Sequence, residues 1–249
     1  MTAVAALAAE RIKLQTTRSP IWSALAAAVL SVGSAAIQAS TATAPLPPER
    51  AAIGMAAFGV PVLMILAAMT VTGEYRNGMM RATFQATPNR TLVLAAKAAV
   101  SVVFAGGLAA VMVVASIAVA RALAGPYIGR RLSLAEAATW RPVGAITLYA
   151  ALGAVLAVGL AALLRHAAGV VAVLVLVPFV VEPLVGSLPN VGSKVGPFLP
   201  FANVFTFAEV PWFQTYEMHW GPLGALRYFS FIVALVFVAA IIVINRRDA

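Results

Sequence analysis

Six long apolar segments limit what this chain can fold into. A helix needs about 20 apolar residues to cross roughly 30 Å of hydrocarbon, and each segment is long enough. They lie at about residues 20–39, 52–72, 92–123, 142–164, 167–188 and 223–245. None shows the short alternating pattern of an outer-membrane barrel strand. Because backbone polar groups in lipid must be satisfied within the protein, we predict an all-α membrane protein with six transmembrane helices in a single transmembrane domain, residues 1–249.

The composition agrees with a membrane protein and excludes several chemistries. Hydrophobic residues make up 62% of the chain and charged residues 10%, whereas soluble domains carry about a quarter charged residues. The absence of cysteine excludes disulfides, thiolate metal sites and a cysteine nucleophile. His166 and His219 alone cannot form a zinc site. We therefore predict no enzyme activity in this chain and no catalytic, cofactor-binding or metal-binding residues.

The basic residues in the connections predict the orientation in the membrane. The net charge of +9 is typical of cytoplasmic loops in so apolar a chain, and we do not assign it to nucleic-acid binding. Ten basic residues share the side of both termini: Arg11, Lys13, Arg18, Arg76, Arg81, Arg90, Lys97, Arg165, Arg246 and Arg247. Seven lie on the other side: Arg50, Arg121, Arg130, Arg131, Arg141, Lys194 and Arg227. We therefore predict a multi-pass protein of a bacterial inner membrane with both termini in the cytoplasm.

The segment before the first span is predicted to form an interfacial helix. Residues 3–17 carry apolar side chains such as Val4, Leu7 and Ile12, while residues 10–13 include three charges. A helix with one apolar face and one polar face lies well in the membrane interface. A frayed leader is the alternative.

Two later connections have features of their own. The third, residues 121–141, is polar and predicts a short surface helix at about residues 132–139. The fifth, residues 189–222, is rich in proline and glycine. It also carries seven large rings: Phe198, Phe201, Phe205, Phe207, Trp212, Phe213 and Trp220. Broken backbone with aromatic side chains predicts re-entrant or interfacial helices before span 6, and an aromatic belt that only anchors this span is the alternative.

The second connection is the most distinctive part of the sequence. It contains Glu74, Arg76 and Arg81, followed by Thr87-Pro88-Asn89-Arg90. The pattern predicts a short charged cytoplasmic helix at about residues 77–85, ended by Pro88. A helix tied at both ends to membrane spans can transmit force between a soluble partner and the bundle. An ordinary positively charged loop is the simpler alternative.

This segment resembles the region between the second and third spans of type-2 ABC transporter permeases. The residues that carry the resemblance are Glu74, Arg76, Gly78, Arg81, Pro88, Arg90 and Lys97. Glu10, Lys13 and Arg18-Ser19 resemble the interfacial helix of that family, and Leu164-Arg165-His166 and the proline-rich fifth connection resemble its later half. The similarity covers most of the chain. Met79 departs from it, since the family often has threonine there, and the third connection is unusually basic.

The resemblance implies a mechanism and partners. Two permeases would pair in the bilayer, as a homodimer or with a similar second permease as the alternative, and each would bind one separate ABC ATPase subunit. The coupling helix that fits a groove of that ATPase would include Glu74, Tyr75, Arg76, Gly78, Arg81, Pro88 and Arg90. This chain has no Gly-x-x-x-x-Gly-Lys-Ser/Thr phosphate loop, so ATP and magnesium would be bound by the partner. The function implied is ATP-driven export, such as multidrug efflux, of a lipophilic or amphiphilic drug, peptide or lipid.

Glu182 is the one acidic residue well inside a predicted span, between Pro178 and Pro183. An ionisable residue at this depth is a candidate polar site. Three interpretations fit it: a cation or proton site, a partner for Arg227, or a hydrated carboxylate beside a proline break.

Two other functions of the chain also stay open. One is a gradient-driven secondary transporter, for which a single buried acid and no clear internal repeat are little support. The other is a non-transport membrane protein, such as an immunity or sensor subunit.

Overall fold

The computed structural model describes residues 2–212 and 214–246, and this part of the chain is helical with no β-strand. Six of its helices are long and apolar enough to cross a membrane. In chain order, spans 1 to 6 are Ser19–Thr41, Met55–Arg76, Arg90–Leu123, Ala137–Leu164, Ala167–Ser187 and Pro222–Arg246. The predicted all-α membrane protein with six spans is confirmed. Phe213 and Arg247, which entered the sequence analysis, lie outside the described residues.

Three shorter helices lie outside the spans. The N-terminal helix is Ala3–Thr16, so this segment is helical rather than frayed. The second-connection helix is Met79–Ala86, two residues later at its start than predicted. The fifth-connection helix is Pro200–Ala208. Single-turn pieces complete the connections: Pro48–Ala51, Ile128–Arg131, Gly192–Val195 and Gly196–Phe198.

Local side chains explain several helix starts. Asn89 precedes span 3, and its side-chain oxygen accepts a hydrogen bond of 2.9 Å from the Leu92 N–H. His166 precedes span 5, and its Nδ1 accepts one of 3.2 Å from the Gly169 N–H. Such caps satisfy backbone donors that have no partner within the helix. Between spans 4 and 5, Arg165 has a left-handed φ of 54°, which reverses the chain within two residues.

The third connection differs from the prediction. The helix expected at residues 132–139 is wrong: Ile128–Arg131 forms a single 3₁₀ turn, and span 4 itself begins at Ala137. Pro142, the predicted start of this span, lies inside the helix. Pro142 is the sixth residue of this helix and has no N–H, so the helix lacks the backbone hydrogen bond that would otherwise go to the Ala138 carbonyl.

Spans 2 and 4 form the centre of the bundle. In their most apolar windows 72% and 61% of the residues are buried, against 22% in each of spans 1, 5 and 6. Gly153 of span 4 permits the close packing of span 2, since an added Cβ would lie 3.0 Å from the Met64 side chain. Gly159 does the same for span 6, where Val236 would lie 3.2 Å away. Small residues allow such approach between membrane helices, while the outer spans keep apolar faces exposed.

The fifth connection packs into the protein. Phe201 and Phe205 of the fifth-connection helix are buried, and the Phe205 ring stacks on Trp212 with 4.4 Å between centroids. Tyr149 of span 4 contacts Phe205 edge to face at 5.9 Å. Asn203 accepts a hydrogen bond of 2.6 Å from the Trp220 indole N–H. The connection is therefore helical and packed on protein, so its rings form more than a surface belt.

Candidate functional site

Four charged side chains meet where the N-terminal helix packs against spans 2 and 3. Glu10 and Lys13 come from the N-terminal helix, Glu74 from the last turn of span 2, and Lys97 from the second turn of span 3. We call these four residues the charge cluster. Glu10, Glu74 and Lys97 are only 8%, 7% and 1% exposed. Two carboxylates and two ammonium groups give a formal charge of zero, which burial of ionised groups requires.

Glu74 contacts three other elements at once. Its Oε1 accepts hydrogen bonds from Lys13 Nζ at 2.7 Å and from Lys97 Nζ at 2.6 Å. Its Oε2 accepts a longer one, 3.3 Å, from the hydroxyl of Thr83. Thr83 belongs to the second-connection helix. One carboxylate therefore links span 2 to the N-terminal helix, to span 3 and to the second-connection helix.

Lys97 has a partner for each of its three ammonium protons. Nζ donates to Glu74 Oε1 at 2.6 Å, to Glu10 Oε2 at 2.9 Å and to the Thr70 carbonyl at 3.1 Å. Thr70 and Glu74 are four residues apart in span 2 and so share one helical face. Lys97 is the most deeply buried member, and complete hydrogen bonding makes a buried ammonium tolerable.

Lys13 is the most exposed member of the charge cluster. Partial burial alone would lower the pKa of Lys13, but its hydrogen bonds to Glu10 and Glu74 and their negative charges outweigh burial and raise this pKa above 10.5. A raised pKa means that the stabilisation is fully present below the unfolded-state value and is lost as the pH rises through the folded-state value. Lys13 therefore stays charged around neutral pH.

The second-connection helix has one face on the bundle and one face exposed. Gly78 precedes it with a left-handed φ of 67°, a conformation that glycine adopts without strain. Met80 and Phe84, four residues apart, are buried, whereas Arg81 is exposed. Arg76, at the end of span 2, is also exposed. The helix and the residue before it therefore expose two basic side chains, while the apolar face of the helix packs on the bundle.

The other residues predicted for coupling lie around this helix. The guanidinium of Arg90 stacks over the Phe84 ring at 5.1 Å and donates a hydrogen bond of 3.0 Å to the Ile244 carbonyl of span 6. The Tyr75 ring lies 5.0 Å from the guanidinium of Arg165, at the turn between spans 4 and 5. Pro88 is exposed just after the helix. Through the flanking side chains of Arg90 and Tyr75 the second connection is tied to span 6 and to the turn between spans 4 and 5.

A cavity of about 420 Å³ borders the charge cluster. Glu10, Lys13, Glu74 and Lys97 all line it, together with Met79 at the start of the second-connection helix. In the described part of the chain, no three acidic or histidine side chains come together as metal ligands.

No protein-family model matches the chain, and a search of curated proteins finds no match. The geometry of the charge cluster and of the second connection is therefore the basis for a functional assignment.

Glu182 is a buried capping residue. It is 3% exposed, and its two carboxylate oxygens accept hydrogen bonds from the N–H groups of Phe201 at 2.8 Å and Ala202 at 2.7 Å. These donors begin the fifth-connection helix, whose N-terminus favours a negative charge. The hydrated-carboxylate interpretation is wrong. None of the ion pairs among residues 2–212 and 214–246 includes Glu182, so the pairing with Arg227 is wrong as well.

The sequence analysis missed the charge cluster as a unit. Glu10, Lys13 and Lys97 were noted as interfacial charges, as basic residues that predict orientation or as parts of a resemblance, and Thr83 was not singled out. One signal pointed to it: a lysine eight residues into an apolar span requires an acidic partner. The acids near the same predicted face of the membrane are Glu10, Glu74 and, in the C-terminal tail, Asp248.

Proposed function

We propose that this chain is the transmembrane permease subunit of an ATP-driven exporter. A separate ATPase subunit would hydrolyse ATP, and the permease would move a lipophilic or amphiphilic substrate outward. The observation that carries this proposal is the position of Glu74, which joins the second-connection helix to the N-terminal helix and to spans 2 and 3. A helix attached in this way can pass a displacement from a soluble partner into the bundle.

The exposed face of the second connection supports a partner on this side. Arg76 and Arg81 are exposed and carry positive charge, which favours an acidic groove on the partner. The buried Met80 and Phe84 prevent the helix from moving independently of the bundle. Arg90 extends the connection to span 6 through the Ile244 carbonyl. A force on this helix would therefore act on spans 2, 3 and 6 together.

The exposed apolar faces support a dimer within the bilayer. Spans 1, 5 and 6 are each only 22% buried in their most apolar windows, which leaves surface for lipid and for a second permease. We propose a homodimer that binds two ATPase subunits. The basic second connection and both termini would lie in the cytoplasm, and the membrane would be the inner membrane of a bacterium.

Purification of the tagged chain in mild detergent, with partners identified by mass, tests the proposal. We expect a stoichiometric partner that carries a nucleotide-binding phosphate loop. Charge reversal at either exposed arginine, Arg76→Glu or Arg81→Glu, should reduce its recovery at least about tenfold, because an interface charge then faces a like charge. Arg50→Glu, an exposed arginine in the first connection, is the matched control and should leave recovery unchanged.

Two outcomes would contradict the proposal. The first is a homo-oligomer without an ATPase after crosslinking in the membrane, which would favour a gradient-driven transporter or a non-transport membrane subunit. The second is an ATPase whose recovery depends on Arg50 as strongly as on Arg76 and Arg81.

A further inference from the structure

An apolar groove runs between the N-terminal helix, the start of span 1 and span 3. Its volume is about 760 Å³, within the range of roughly 300–1,000 Å³ that is typical of small-molecule sites. Leu7 and Ala8 line it from the N-terminal helix, Ile21 from span 1, and Val103 from span 3. None of the four residues of the charge cluster lines this groove, although Leu14, Thr17 and Val100 line both the groove and the cavity beside the cluster.

The wall of the groove is apolar and open to its surroundings. Val4 is 76% exposed, Ile21 68% and Val103 75%. Exposed apolar surface of this kind marks contact with a membrane or a ligand. Because the groove lies between two membrane spans and the N-terminal helix, an extended hydrocarbon chain can lie along it.

Three polar side chains, one of them positively charged, also line the groove. They are Arg11, Gln15 and Thr17, and the residue after Thr17 is Arg18. No acidic residue lines the groove. Within the described part of the chain, Arg11 belongs to no ion pair. An arginine beside an apolar groove provides a site for a phosphate group next to a site for its hydrocarbon chain.

We propose that this groove binds one anionic phospholipid. An acyl chain lies along Leu7, Ile21 and Val103, and the phosphate group contacts Arg11. A zwitterionic lipid offers the same phosphate with an added cation near the guanidinium, so the site selects the anionic lipid. Occupancy holds the N-terminal helix on one face while the charge cluster holds it on another. This inference does not depend on a partner ATPase.

Native mass spectrometry of the full chain tests the site. The protein is purified in detergent with palmitoyl-oleoyl phosphatidylglycerol and phosphatidylcholine in equal amounts, and retained lipid is counted. We expect one phosphatidylglycerol retained per chain. Arg11→Gln should lower the preference over phosphatidylcholine by about fivefold, since one basic residue near the headgroup is lost, and Arg11→Lys should retain most of it. Val103→Trp fills the groove and should abolish retention.

Two matched controls separate the site from general effects. Val111→Trp places the same ring on an exposed position of span 3 outside the groove, and Arg50→Gln removes an exposed arginine elsewhere. Both should retain the lipid as the unaltered chain does. Equal retention of both lipids, or retention unaffected by Val103→Trp, would overturn the proposal. So would loss of retention in the Val111→Trp variant to the same extent, or occupation of the groove by a second copy of this chain.

Discussion

Two buried carboxylates at opposite ends of the bundle are satisfied in different ways. Glu74 accepts its shortest hydrogen bonds from the ammonium groups of Lys13 and Lys97, which belong to other helices. Glu182 accepts two backbone N–H groups from the start of a single short helix. The first arrangement depends on where three helices lie relative to one another, whereas the second fixes one connection locally. The charge cluster therefore requires three helices in one arrangement, whereas the Glu182 cap requires only that the start of the fifth-connection helix stays against Glu182.

Removal of the buried ammonium should have the largest effect. Lys97→Met leaves two buried carboxylates with Lys13 as their only cation, and breaking a buried pair costs about 3–5 kcal/mol. We expect a marked fall in the thermal stability of the detergent-solubilised chain. Lys194→Met, at an exposed lysine, is the control.

A second substitution distinguishes charge imbalance from lost packing. The double variant Glu10→Gln with Lys97→Met restores neutrality, because Glu74 and Lys13 remain as one pair. Its stability should be higher than the sum of the two single losses predicts. Strictly additive losses would mean that Glu10 and Lys97 do not interact, and would contradict the charge cluster.

Disruption of the Glu182 cap should have a smaller and more local effect. Glu182→Gln replaces one acceptor oxygen by a donor that faces a backbone N–H, at a cost of about 1–3 kcal/mol. The amides of Phe201 and Ala202 should exchange hydrogen faster, while amides near the charge cluster stay protected. Equal acceleration at both ends would contradict the separation of the two regions.

Loss of the Thr83 hydroxyl should have a weak effect on stability. Thr83→Val removes one hydrogen bond of 3.3 Å to Glu74, a change of about 0.5–1.5 kcal/mol or less. If the second-connection helix transmits force through Glu74, ATP hydrolysis by the partner should be less well coupled to transport in this variant. Thr91→Val, at the start of span 3, is a control outside the charge cluster.

A change of pH near neutrality should affect the stability of the chain less than any of these substitutions. The pKa of Lys13 is raised above 10.5, so the stabilisation from its ion pairs is present at neutral pH and is lost only as the pH rises through that raised value. The unfolding midpoint of the unaltered chain, less that of Lys13→Met, should be constant around pH 7 and fall above about pH 10.5. A fall already near neutral pH would show that Lys13 loses its proton there.

The spans could be predicted from the sequence because their signal is local. A run of about 20 apolar residues identifies a membrane helix without knowledge of its neighbours, and the predicted ends agree with the structure to within five residues. The second-connection helix was also predicted to within two residues of its start and one of its end, since Pro88 limits it. The prediction for the third connection was wrong because Pro142 was taken as the start of span 4. This span begins earlier, at Ala137.

The charge cluster could not be predicted because its contacts are distant in sequence. Lys13 and Glu74 are 61 residues apart, and Glu10 and Lys97 are 87 apart. Which acid meets which lysine depends on how the N-terminal helix packs against spans 2 and 3. Glu182 presented the same difficulty, since its partner Phe201 is 19 residues away across a proline-rich segment. In both cases the sequence showed a charged residue at an apolar position but did not show which group it would bind.

Site-directed crosslinking tests the central claim most directly, because the chain has no cysteine of its own. Single cysteines are introduced at Arg81, which is exposed, at Met80, which is 2% exposed on the same helix, and at Arg50, which is exposed in the first connection. In native membranes we predict that Arg81→Cys crosslinks to one protein with a nucleotide-binding phosphate loop, and that Met80→Cys and Arg50→Cys do not. Crosslinks from Arg81→Cys only to a second copy of this chain, or to no protein, would contradict the account.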